Sequence, residues 1–271
     1  MNAAFGKSRY ENNGAQHRAE YDIQVDAVAL CRPLRALIHF LPPDEVDMIG
    51  FRILKRERAV SAEVVARFRS LPVANVSDSM SRMTAGGPRL RPMHKGGMLA
   101  GPALTVKTRP GDNLMIHRAI DLAAPGDVVV VDGGGDLTNA LIGELMAAYA
   151  QTRGIAGMVL YGAIRDAGWI AAHDFPVYAA GITHRGPYRD GPGEINVPIA
   201  LDGMVIEPGD LVIGDEDGLL CVPYDETETV FAAAQAKQQV EQKQRRAIEE
   251  RRYDRSWVEE TLKRLGCETQ G

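Results

Sequence analysis

Apolar positions along the chain change period several times, and each period predicts its own kind of element. Val64, Val65, Phe68 and Leu71 form a helical stripe in which Ser61 is placed to cap the start, Glu63 sits in the first turn and Pro72 ends the run. A second short helix, capped by Asn75 or Ser77 and carrying Met80 and Met83, is predicted to stop at Gly86-Gly87-Pro88. Residues 99–107 read as a strand leading to Arg109-Pro110-Gly111, after which Asp112 is predicted to cap a helix bearing Met115, Ile116, Ala119 and Ile120. His117 falls within that helix, and a lone helical histidine reads as structural. Residues 127–132 form a near-continuous valine run, as in a strand buried on both faces. An Ala-rich helical stretch over 146–153 follows, then Gly154 and an apolar strand over 155–160.

Later elements are shorter. A helix closes at 171–173, strands are predicted at 175–180, 204–206, 210–213 and 219–222, and the Gly/Pro-rich stretch 184–198 reads as a long loop. That loop carries Arg185, Arg189, Asp190 and Glu194, and suits a lid or a subunit contact if its charges are not simply solvated. Asp225 and Glu228 resemble a capping box opening a helix to about residue 252, whose apolar stripe of Val230, Ala233 and Val240 is thin and interrupted by Lys237. Trp257, Leu262 and Leu265 give a last short helix something to bury. Three segments result: an N-terminal extension over 1–58, a central domain over 59–224 and a helical segment over 225–271. Residues 1–26 are polar and aperiodic, which predicts disorder, and residues 34–41 allow one short element before Pro42-Pro43. Met48 is a possible alternative start.

Composition narrows the class. With 271 residues, 45% hydrophobic and 25% charged, the chain can bury one sizeable core. No apolar run is long enough to span a bilayer, and no secretory leader opens the sequence, so a cytoplasmic protein without a membrane partner is expected. Cys31, Cys221 and Cys267 lack zinc-like spacing. A net charge of −5 gives no global attraction to nucleic acid. The run Asp132-Gly133-Gly134-Gly135-Asp136 lacks the Lys-Ser/Thr of a phosphate loop, so its glycines are expected to turn the backbone near a small acid.

The chemistry concentrates at two segment ends. A helix beginning near Gly143 exposes the N–H groups of Leu145 and Met146 at the positive end of its dipole, which suits a carboxylate. Arg165, just past a strand end, offers a planar fork to that carboxylate or to a keto oxygen. Asp166 is a hard oxygen donor for a divalent cation, and Glu144 adds a second carboxylate. The competing reading makes Glu144 a helix starter and Arg165-Asp166 solvated turn charges.

The 20 residues between Glu144 and Arg165 give a spacing that resembles the acidic-x20-Arg-Asp signature of the class II pyruvate aldolases related to 4-hydroxy-4-methyl-2-oxoglutarate and 4-carboxy-4-hydroxy-2-oxoadipate aldolase. Asp112-Asn113-Leu114, residues 125–133 and Gly193-Glu194-Ile195-Asn196-Val197-Pro198 extend the likeness across 61–223. The same family includes the ribonuclease E activity regulators. The resemblance implies an α/β fold, a mixed β/β/α sandwich like the RraA-like swivelling domain with an added C-terminal helical segment, assembled as a homotrimer or homohexamer. It implies a lyase releasing pyruvate from a 4-hydroxy-2-oxo diacid, with oxaloacetate decarboxylation alongside. Asp166 would bind Mg²⁺ or Mn²⁺, with Glu144 acting through a water and Glu241 of a neighbouring subunit near the cation's waters. Arg165, Gly143, Leu145 and Met146 would hold the 2-oxo acid. Glu144 stands where many such aldolases have Asp. The alternative within the family is a protein-binding inhibitor of a ribonuclease that keeps a vestigial site.

Overall fold

The computed structural model describes residues 49–84 and 87–268. The expectations for residues 1–48, the alternative start and the stop at Gly86 lie outside them. In chain order the elements are β1 (Phe51–Ile53), α1 (Ala62–Phe68), α2 (Val73–Ser79), β2 (Arg91–Pro92), β3 (Leu99–Thr108), α3 (Leu114–Leu122), β4 (Val128–Asp132), β5 (Ala140–Ile142) and α4 (Glu144–Thr152). They continue with β6 (Gly157–Ile164), α5 (Ala167–Ala171), β7 (Val177–Ile182), β8 (Gly193–Ile195), β9 (Ile199–Leu201), β10 (Met204–Ile206), β11 (Leu211–Gly214), β12 (Leu219–Val222), α6 (Thr227–Glu249) and α7 (Ser256–Arg264).

The valine run is the hinge between two cores. Because side chains alternate along a strand, Val128 and Val130 of β4 enter one core while Val129 and Val131 enter the other. The main sheet runs β1-β8-β3-β4-β6-β7-β2, with β3, β4, β6 and β7 mutually parallel. On one side Ile116 and Ile120 of α3, Ala147 and Ala150 of α4 and Ile170 of α5 cover it. On the other, β3 shares its first half with a second antiparallel layer, pairing Leu99 with Gly214 of β11 and Pro102 with Leu211. The β9–β10 hairpin and helices α1, α2 and the start of α6 complete that core. This is the mixed α/β arrangement expected.

Several local expectations change. Helix α1 forms as read, with the Ser61 hydroxyl accepting from the Val64 N–H at 3.3 Å. Helix α2 instead starts at Val73 after Pro72, so Asn75 and Ser77 lie inside it, Met80 only closes it and Met83 is exposed outside. Its cap is remote in sequence: the Asp215 carboxylate accepts from the Val73 N–H at 3.0 Å. Asp215→Ala should therefore destabilise the protein by about 1 kcal/mol, a helix-cap magnitude. Urea unfolding checks this, and an unchanged midpoint would remove Asp215 as the cap.

Residues 184–198 are not a continuous loop. Within them β8 is buried between β1 and β3, and Glu194 pairs with Arg52 at 2.7 Å. Nor does the Asp225/Glu228 capping box form, because Asp225 pairs with Arg58 and Glu228 with Arg67. On α6 the buried stripe is Thr227, Val230, Phe231 and Ala234, with Phe231 edge-on to Phe68 at 5.5 Å. Its second half carries no buried residue, and neither does α7, whose Trp257 is 55% exposed. No helix among the described residues is long and apolar enough to cross a membrane.

Candidate active site

Sequence-distant segments meet beyond the C-terminal ends of β5 and β6, where open parallel sheets place their ligand crevices. A cavity of about 310 Å³ there is lined by Gly143, Glu144, Leu145, Met146, Arg165 and Asp166, the six residues singled out from the sequence within this chain. Asn113, His117, Leu141, Ile142, Pro187 and Arg189 complete its lining.

The geometry starts from a change of strand neighbour. β4 pairs with β6 only as far as Asp132 with Tyr161, and β5 then takes its place, pairing Ala140 with Ala163. The three glycines after Asp132 carry the chain across that step, with Gly134 and Gly135 at φ +70 and +68. They do not line the cavity, so the expectation that they face a small acid is corrected: they make the crossing that lets β5 deliver Gly143. Helix α4 begins immediately afterwards. Its first N–H, that of Glu144, is taken by the Asp166 carboxylate, while the N–H groups of Leu145 and Met146, both cavity-lining residues, have no intrahelical partners.

Asp166 is held from two directions. Its backbone is left-handed (φ 56, ψ 35), a conformation Asp tolerates better than most residues. The chain thereby turns between β6 and α5, and the carboxylate faces α4, where Oδ2 accepts from the Glu144 N–H at 3.0 Å. Arg165 Nε stands 3.7 Å from the same oxygen. Asp166 Oδ1 has no hydrogen-bond partner among the described residues.

Six lining residues were not assigned a site role in the sequence, among them the apolar Leu141 and Ile142. His117, read there as structural, lies half-buried in the wall, and burial pushes its pKa below the usual histidine value. The Arg189 charge adds to that shift and Asp121 opposes it. Asn113 is almost wholly buried, donates from Nδ2 to the Leu141 carbonyl at 3.0 Å, and leaves Oδ1 without a partner. Asp112-Asn113-Leu114 had been part of the resemblance, but nothing in spacing places Asn113 or His117 beside a segment some thirty residues on. Arg189 and Pro187 arrive on the segment before β8.

Glu241 is not brought to this cavity within the chain. Its carboxylate accepts from the Asn75 amide at 2.8 Å and lies 3.6 Å from Lys237, which also pairs with Asp78 at 2.8 Å. These contacts fasten α6 to α2.

The family profile described as RraA-like, Aldolase/RraA, matches residues 73–221. The chain belongs to the RraA-like family. A protein of Halalkalibacterium halodurans, provisionally named a 4-hydroxy-4-methyl-2-oxoglutarate aldolase, is 39% identical over 69% of this chain and 89% of its own length. Among solved structures, the RNA-processing inhibitor RraA from Thermus thermophilis is 30% identical, with a TM-score of 0.52 over 56% of this chain and 92% of that one. A Streptomyces coelicolor member of the RNase ES inhibitor RraA family is 25% identical, with a TM-score of 0.64 over 69% of this chain and 98% of that one. RraA-like relatives thus carry both kinds of name.

Proposed function

We propose that this cavity cleaves a 4-hydroxy-2-oxo diacid into pyruvate and a second 2-oxo acid. The observation that carries the reading is the convergence of two uncapped helix N–H groups, a guanidinium and a carboxylate on one 310 Å³ cavity. The N–H groups of Leu145 and Met146 bind the C1 carboxylate, and Arg165 reaches the 2-oxo oxygen. Bond cleavage removes the proton from the C4 hydroxyl, breaks C3–C4 and sends the electron pair through C3 to the 2-oxo oxygen. Arg165 stabilises the negative charge that develops there. Glu144 holds the water that takes the hydroxyl proton, and a proton returns to C3 to complete pyruvate. Oxaloacetate breaks the same C3–C4 bond with loss of CO₂, so decarboxylation accompanies the lyase activity.

Mg²⁺ or Mn²⁺ fits the donor set. The described residues hold no cluster of three or more ligating side chains, but Asp166 Oδ1 is unpartnered, and Mg²⁺ binds through one or two carboxylates with water and substrate oxygens. When bound, the cation supplies Lewis-acid stabilisation of charge on the 2-oxo oxygen. Arg189 and His117 line the same cavity and would read the far end of a diacid, with Arg189 supplying the positive charge and the imidazole a hydrogen bond.

The test is pyruvate release, followed by coupled reduction with lactate dehydrogenase, from 4-hydroxy-2-oxo diacids and from oxaloacetate. Turnover should require added Mg²⁺ or Mn²⁺ and stop with EDTA. Undiminished turnover in metal-free protein would rule out the cation's part. No turnover under any condition would instead favour a protein-binding inhibitor, as the RraA neighbours are named.

A further inference from the structure

Asp112 is a wholly buried carboxylate that the cleavage chemistry leaves unused. Its Oδ1 accepts from the Leu114 N–H at 3.0 Å, an ordinary contact at the start of α3. Its Oδ2 reaches a different part of the chain, accepting from the N–H of Asp190 at 2.8 Å and of Gly191 at 2.9 Å. An Arg109 guanidinium N–H, 3.0 Å away, donates to the same oxygen. Two backbone hydrogen bonds lie alongside: Tyr188 N–H to the Gly111 carbonyl at 2.8 Å, and Asn113 N–H to the Tyr188 carbonyl at 3.0 Å. Residues 188–191 are thereby fastened to the turn that leads into α3.

The position of the fastening gives it a consequence. Arg189 lies between the tied residues Tyr188 and Asp190, lines the cavity and forms no ion pair with the described residues. A long cationic side chain binds an anion more tightly and selectively when its backbone is already fixed, because less ordering remains to be done on binding. A buried carboxylate, in turn, persists only where donors replace its lost hydration, and the four N–H groups around Asp112 do so.

We propose that Asp112 is a positioning residue that fixes residues 188–191 as a wall of the cavity and, through Arg189, sets the preference for a 2-oxo acid with a second carboxylate. The clamp itself stands on the hydrogen bonds alone. The selectivity half rests on the 2-oxo acid reading above.

The test uses the full chain with Mg²⁺ and compares wild type, Asp112→Asn, Arg189→Ala and the double variant. Asn matches the shape of Asp but presents one acceptor and an NH₂ group, so it cannot accept all four donors. Amide exchange at Asp190 and Gly191 should accelerate by about tenfold or more in Asp112→Asn, because the one neutral oxygen left to accept their N–H groups is a weaker acceptor than the carboxylate oxygen it replaces, and the NH₂ beside it opposes the Leu114 N–H. Calorimetry should show 2-oxoglutarate, which has no 4-hydroxyl to cleave from, bound about tenfold more weakly, with pyruvate changed by less than about twofold. In the Arg189→Ala background, Asp112→Asn should leave the ratio of the two affinities unchanged.

Unchanged exchange at Asp190 and Gly191 overturns the clamp. Equal weakening of both acids, or additive effects in the double variant, overturns action through Arg189. A wild type that binds neither acid overturns the 2-oxo acid reading and the selectivity half with it, while exchange still decides the clamp. If Asp112→Asn does not fold, Arg109→Met removes one donor from the same oxygen and leaves the buried group in place. It should shift exchange and selectivity in the same directions, and no shift in either overturns the proposal.

Discussion

Asp166→Ala is expected to lower kcat/KM for pyruvate release by about 10³-fold or more, and Arg165→Ala by roughly 10²–10³-fold, the range for removing a group that meets developing oxyanion charge. Both side chains are around two-fifths exposed, at 39% and 42%. Neither is part of either apolar core, so Arg165→Ala should melt within about 2 °C of wild type, and Asp166→Ala, which also removes the acceptor of the Glu144 N–H, within about 4 °C. This separates a chemical role from a structural one. The paired variant should be little worse than Asp166→Ala alone, because under the proposed cleavage the two groups serve the same oxygen and act as a unit. Steady-state kinetics of the three variants, each checked by thermal melting, gives the answer. Full turnover in either single variant would move the chemistry away from this cavity.

Part of the site was legible because it is written in contiguous sequence. The start of α4 at Gly143 follows from local patterning, the strand read over 155–160 is β6, which runs on to Ile164, and β4 was readable as a doubly buried strand from its valines alone. What was missed depends on partners far along the chain. The cap of α2 is Asp215, the strand hidden in 184–198 is held by Arg52 and by β3, and the groove for α6 is set by Phe68. No periodicity in three residues such as Gly193–Ile195 can announce a strand whose neighbours are β1 and β3. His117 and Arg189 line the cavity although their local sequence looks like a helix interior and a solvated loop, and the segment carrying Arg189 is tied to the turn before α3 by bonds to Asp112, Gly111 and Asn113 that no local pattern announces.

Gly143→Ala should produce the second large loss, about 10²-fold or more in kcat/KM, from the addition of one methyl group. A Cβ at position 143 would overlap Asp166 Oδ2 and approach Arg165 Cγ at 3.0 Å. The Gly143 backbone is extended (φ −145, ψ −165), which any residue adopts, so the penalty is one of space and not of backbone strain. Something must move, and the exposed Asp166 side chain can do so more readily than the buried ends of β5 and β6. Rotation of that carboxylate breaks its bond to the Glu144 N–H and carries both oxygens from the cavity mouth. Misplacement by about 1 Å is enough for a loss of this size. Melting should be nearly unchanged, while half-saturation by Mg²⁺ should require a higher concentration than in wild type. An Ala variant with wild-type kinetics and metal dependence would show that the contact between Gly143 and Asp166 does not set the geometry of the site.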